Sequence, residues 1–191
     1  MGSSLDTLAH ERLGAIVDAM AGREPLPAAG AALAVALAMS AALLEKAASA
    51  PRAGVPVDAA AEARAGRLRH DALRLADEDA TAYRRVVAAK AAGDAERMRH
   101  ALSRAAEPPL SMAEMGLKLA SIAASILDEV PLSLQGEVRA AAQMALAATI
   151  AAADLVRIDV ASDADERSGQ ASLLAGDAAA RAQALAGRPL R

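Results

Sequence analysis

The sequence predicts an all-α fold, a helical bundle with two central Ala-rich apolar helices. Three observations carry this. No segment shows sustained period-two alternation or a β-branched run between turns. Apolar residues recur instead at helical spacing between Gly, Pro and Asp breaks. The apolar side chains are mostly Ala, Leu and Val: the 191-residue chain is 54% hydrophobic, yet has no Phe, Trp or Cys and a single Tyr. Aromatic rings normally supply much of a core's buried area. A core of Ala and Leu must let backbones approach closely, which suits helices packed on helices. Each small side chain buries little area, so a partner subunit is expected to complete the core and the protein is expected to be a homodimer.

The elements follow in order. Leu5, Leu8, Leu13, Ile16, Val17 and Met20 share one helical face, and Gly22 stops that first helix. Pro25 and Pro27 turn the chain into a second helix reaching about Ser49, and "APRAGVP" breaks it. Asp58 caps a third helix through Lys90, and Gly93 and Asp94 interrupt it. A fourth covers roughly Ala95 to Ala106 and is ended by "EPP"; a fifth runs from Leu110 to Asp128. After a "VPLSLQG" loop, Glu137 to Val160 forms a sixth, nearly all apolar helix. Residues 1–162 are read as one helical domain and 163–191 as a looser, exposed C-terminal helical extension.

The run from Ala28 to Leu44 is about the minimum length for a bilayer span. It is dominated by Ala, lacks an aromatic or basic belt, and is matched by a similar run in the sixth helix. Two such helices are expected to be buried in a bundle, with no membrane. The net charge of −3, from 21 basic and 24 acidic residues, makes no electrostatic case for nucleic acid. Without cysteine there is no disulfide, thiolate or Cys-ligated metal chemistry. The N-terminus lacks the basic and apolar regions of a signal peptide, so a cytoplasmic protein is expected.

Few residues invite chemistry. His10, His70 and His100 belong to no Glu-x-x-His or HExxH pattern, and are expected on solvated helix faces rather than on a metal. "PAAGAA" is no phosphate loop, but an Ala/Gly helix start with Gly30 leaves backbone N–H groups accessible to an anion or a carbonyl. "LADEDATAY" crowds Asp77, Glu78 and Asp79 in mid-helix, where Asp is a poor former. The acids either form a solvated face beside Arg74 and Arg84, or aim one carboxylate into a cleft beside Tyr83. Glu137 heads the most apolar helix; the helix dipole alone favours it there, while partial burial would suit a general acid/base. Asp154, Arg157 and Asp159 at the far end form either an ion-pair cluster or a ligand-carboxylate site.

Taken in order, these segments resemble the cyclodeaminase/cyclohydrolase family of folate one-carbon enzymes. That family opens with a short amphipathic helix and runs from Pro-x-Pro-Gly-Gly-Gly-Ser into an Ala-rich helix, where this chain has "PLPAAGAALAVALAMSAALL". Its Asp-x-x-Ala-Phe/Tyr element is matched at Asp79, Ala82 and Tyr83, its Val-Pro-Leu element by "EPPLSMAE", and its closing Asn-Val-Arg-Ile-Asn by "LVRIDV". The likeness covers about Leu5 to Asp165. Departures fall in the loops. Ala28, Ala29, Gly30 and Ala31 replace the glycines and serine, and Arg52 is what remains of a Gly-Lys-rich segment. Ser133 and Glu137 stand for the Asn and Asp of Asn-x-x-Ser-Asp.

The resemblance implies a helical homodimer acting on a one-carbon unit between N5 and N10 of tetrahydrofolate, by cyclodeamination or cyclohydrolysis. The tetrahydrofolate derivative is substrate, and no prosthetic group or metal is implied. It implies acid/base work for Glu137, with Asp79 orienting or polarising the pterin side. Arg157 and Arg52 pair with the glutamate tail, and Pro27, Gly30, Tyr83 and Ser133 complete the binding surface. The loop changes support a second reading, a non-catalytic relative that serves as a dimeric small-molecule-binding or accessory helical protein.

Overall fold

The computed structural model describes residues 13–52, 54–160 and 165–188, with the Arg52 side chain excepted. The described residues form α1 (Leu13–Met20), α2 (Ala29–Ala48), α3 (Ala59–Ala92), α4 (Ala95–Ala105), α5 (Glu107–Ile126), α6 (Leu132–Asp159) and α7 (Glu166–Ala186). A two-residue antiparallel ribbon, β1 (Pro51–Arg52) and β2 (Val55–Pro56), links α2 to α3. The fold is all-α, as the sequence predicts. The part of the first predicted helix before Leu13, with His10, lies outside the described residues, as does Asp163.

α2 lies at the centre, packed along α3 and α6 and against α5. Its Ala31, Ala34, Leu37, Ala41, Leu44 and Ala48 are fully buried, so one face consists of methyl groups and two leucines. Met112, Leu119 and Ile126 of α5 and Val138 and Leu146 of α6 supply most of the remaining bulk. Polar ties fix the directions. Ser40 Oγ of α2 donates to the Ala141 carbonyl of α6 at 2.8 Å, and Lys46 Nζ donates to Glu137 Oε1 at 2.8 Å. α6 therefore runs antiparallel to α2. On the other side Arg69 Nε donates to Glu45 Oε2 at 2.7 Å, while Asp79 meets Gly30, which makes α3 antiparallel to α2 as well.

Small residues set the spacing between α5 and α6. A Cβ on Gly116 would collide with Thr149 Oγ1 and lie 2.6 Å from the Ala145 carbonyl oxygen. The Thr149 hydroxyl donates to Ala145 O at 3.0 Å and to Ala113 O at 3.3 Å, so no buried hydroxyl is left unpaired at this contact.

Three boundaries differ from expectation. α5 begins at Glu107, with Pro108 and Pro109 inside its first turn. A proline there gives up only an N–H that has no intrahelical partner. "EPP" thus starts a helix as well as ending one. α6 begins at Leu132 behind Pro131 rather than at Glu137. The polar stretch read as a loop forms its first turns, where Ser133 and Gly136 are exposed and Gln135 is buried. Glu137 therefore stands beyond the first turn and is not a helix-head acid. Finally, α7 is docked on α5 and α6 rather than loose. Ala171 and Ala178 are fully buried, and Arg181 Nη1 donates to Ser121 Oγ at 3.1 Å.

α2 and α6 are long and apolar enough to cross a membrane, yet half of each hydrophobic window is buried in the bundle. Length and apolarity of this kind also mark a core helix. Apolar residues stay uncovered on each, Ala32, Met39 and Ala42 on α2 and Ala140, Ala147 and Ile158 on α6, the latter beside exposed Gln143 and Asp154.

Replacing Gly116 by Val is expected to destabilise the fold by about 1–3 kcal/mol through overpacking. Urea denaturation checks this; an unchanged midpoint would mean that α5 and α6 are not held in close contact there.

Candidate functional site

Of the three acids in mid-α3, one turns inward. Helical phase separates consecutive side chains by about 100°. Glu78 faces solvent, paired with Arg74, and the Asp79 residue is only 8% exposed. Its carboxylate lies flat against Gly30 in the first turn of α2, where the position of a Cβ would fall on the carboxyl atoms themselves. Only glycine fits at residue 30 with this packing. Ala28 caps α2 without a side-chain hydrogen bond, so the leading N–H groups of α2 are the nearby donors that the helix itself does not use.

A second raised carboxyl stands at the end of α6. Asp159 is the last residue of α6, at the end that comes alongside the head of α2. Burial raises its carboxyl from 3.8 to about 6. Asp79 is likewise raised to about 6, first by burial and then by the charge of Asp159. An Asp159 charge therefore opposes the ionisation of Asp79. The sequence reading placed Asp159 with Asp154 and Arg157, in an ion-pair cluster or a ligand-carboxylate site. The missed signal was helical phase, since Asp154 and Arg157 pair with each other and Arg157 Nη1 donates to Ser172 Oγ of α7 at 3.4 Å. Asp159, two positions on, points elsewhere.

The sequence-predicted residues fall into two groups. Pro27, preceded by a cis peptide bond, Gly30, Asp79, Tyr83 one turn along α3, and Arg157 lie at the end of the bundle that holds the head of α2. Tyr83 is 37% exposed. Glu137, Ser133 and the ribbon carrying Arg52 lie at the opposite end, about 24 Å away along α2. There Glu137 accepts the Lys46 hydrogen bond through Oε1, while Oε2 is buried without a hydrogen-bond partner. A single chain therefore does not bring Glu137 and Asp79 into one cleft.

Of the other histidines, His70 Nδ1 lies 2.8 Å from the Gly66 carbonyl on an exposed face. His100 lines an open groove between α3 and α4 with Arg85 and Arg104. Among the described residues, no three His, Cys, Asp or Glu side chains come together as a metal site.

The described residues thus form an all-α bundle with a buried acid against the glycine at the head of its central helix. The sequence profile of the formiminotransferase-cyclodeaminase family matches residues 12–173, and the chain belongs to that family. A solved structure of formiminotetrahydrofolate cyclodeaminase from Thermotoga maritima is similar, with a TM-score of 0.75 over 92% of this chain and 92% of that one. At 21% identity this shows a shared fold. No match is found among curated proteins.

Because the Asp79 carboxyl is raised in the folded state, its ionisation costs stability as pH climbs from about 4 to about 6, and the full cost persists above that range. Asp79→Asn is therefore expected to stabilise the protein by about 2–3 kcal/mol at pH 7.5 and to give no gain below pH about 4. Denaturant titrations at the two pH values check the sign; a loss of stability at pH 7.5 would show that the carboxylate is well solvated or paired.

Proposed function

We propose that this protein acts on a one-carbon unit held between N5 and N10 of tetrahydrofolate, as a cyclodeaminase or cyclohydrolase. Family membership and the shared fold support the reading. The observation that carries it is Asp79: a residue only 8% exposed, its carboxyl set against a helix head and able to hold or release a proton near neutrality. Both reactions need such a group, to protonate a leaving nitrogen or to accept a proton from attacking water, beside a carbon that becomes or begins cationic. Tyr83, Pro27 and Gly30 would line the pterin side. Arg157 would reach the carboxylates of the glutamate tail, with Arg52 as its counterpart from the other group.

The two separated groups fit a homodimer. The uncovered apolar residues of α2 and α6 lie on the faces a second copy would bury. A two-fold axis lying in that interface, perpendicular to these antiparallel helices, would set one copy's Glu137 end against the other's Asp79 end. Glu137, with its unpaired buried Oε2, would then be the second acid/base group, supplied in trans. The chemistry is that of a cytoplasmic enzyme.

Purified protein is expected to accelerate the loss of methenyltetrahydrofolate absorbance, or to release ammonia from the formimino derivative. Neither signal would leave the non-catalytic relative standing. Asp79→Asn should lower kcat by at least about 100-fold while raising stability, which separates loss of chemistry from loss of fold. Glu137→Gln should abolish the rate too; wild-type turnover in that variant removes Glu137 from the mechanism. Sedimentation at micromolar concentration should show a dimer, and a monomer would overturn the shared site.

A further inference from the structure

α3 and α5 leave a groove of about 450 Å³ between them, a volume that suits a small organic molecule. Its α3 residues lie about 12–22 Å from Asp79 toward the start of that helix, so the groove is separate from the buried acid. Leu68 and the largely buried Ile122 give it an apolar floor. Arg64 and Arg67 of α3 and Lys118 of α5, all exposed, line it together with a single acid, Asp71.

This local excess of positive charge belongs to a chain whose net charge is −3. Several arginines elsewhere are answered by an acid one helical turn away: Arg97 by Asp94, Arg104 by Glu107, Arg157 by Asp154 and Arg181 by Asp177. In the groove the acids at that spacing are engaged elsewhere. Asp71, one turn beyond Arg67, pairs with Arg74 at 3.5 Å. Glu114, one turn before Lys118, accepts a hydrogen bond from Gln170 of α7 at 2.8 Å. Arg64 has no acid three or four residues away in either direction. Among the described residues, none of these three cations has an ion-pair partner. Arg64 and Arg67 stand one turn apart and repel each other, so helix stability does not account for them. A bound anion would turn that repulsion into attraction.

We propose that the α3–α5 groove binds a phosphate monoester with a compact apolar or aromatic body, independently of the one-carbon reading. Two guanidinium forks and an ammonium supply donors to the three outer oxygens of a phosphate dianion, whereas a carboxylate offers two. The Ser121 and Ser125 hydroxyls rest on the Leu117 and Ile122 carbonyls of their own helix and can rotate to add a donor each. Leu68 and Ile122 take the apolar body of the ester out of water. Bare phosphate and a neutral alcohol each use only half of these features.

Calorimetric titration of the full chain with phenyl phosphate is expected to show one site per chain, with inorganic phosphate and phenol each about tenfold weaker or more. Affinity should fall about tenfold in Arg67→Ala and in Lys118→Ala, with wild-type circular dichroism, and should fall steeply with added salt. Arg67→Lys should lie between, because it keeps the charge and loses the fork. Undiminished binding in both alanine variants overturns the site, and so does an absence of binding at about 10 mM ester. Phthalate binding more tightly than phenyl phosphate overturns the phosphate assignment in favour of a dicarboxylate. In wild-type protein labelled with 15N, the ester should shift the Leu68 and Ser125 amides and leave that of Tyr83 unmoved; the reverse pattern overturns the site without recourse to any variant.

Discussion

The arrangement depends on one close approach, the contact of the Asp79 carboxylate with the bare backbone of Gly30. Because residue 30 has no side chain, α3 can lie tightly along α2 and deliver an acid to its first turn rather than to water. The register of that contact also fixes the other end, where Arg69 reaches Glu45. α6 is tied to α2 through Ser40 and Lys46, antiparallel to it. An alanine core makes this possible. Short side chains give little stabilisation each, but they let three antiparallel helices come close enough for a carboxyl group to touch a neighbour's main chain.

That geometry reverses the usual sign of a buried charge. In most folds an acid close to a helix start is held ionised by a cation or by several N–H donors. Here desolvation wins: burial raises both carboxyls, and for Asp79 the charge of Asp159 adds to it. The folded state therefore tolerates these acids at a cost. Such local cost is expected where a reacting group is kept ready rather than where packing alone is served.

Much of the architecture was legible from residue order. Ala-rich runs without β alternation can only be helices, and Gly93 and Asp94 end one and begin the next. The start of α6 was not legible, because Ser133, Gln135 and Gly136 read as loop, although Gln135 turns inward while Ser133 and Gly136 stay exposed. Nor could the sequence choose among Asp77, Glu78 and Asp79, since the choice depends on the phase at which α3 meets α2. The action of the Asp159 charge on Asp79 spans nearly half the chain and has no local signature. The separation of Glu137 from Asp79 was hidden for the same reason: chain order says nothing about which ends of antiparallel helices coincide. The likeness to a folate family supplied the fold and the candidate acids, but not their distribution over two ends.

The shortage of aromatic rings has one more consequence. With no tryptophan and a single tyrosine, all ring absorbance and fluorescence of the chain originates at Tyr83. That ring stands one helical turn, about 5.4 Å, beyond Asp79, and is partly open to solvent. The protein thus carries a lone chromophore one turn from its buried acid, a native optical gauge of whatever binds there.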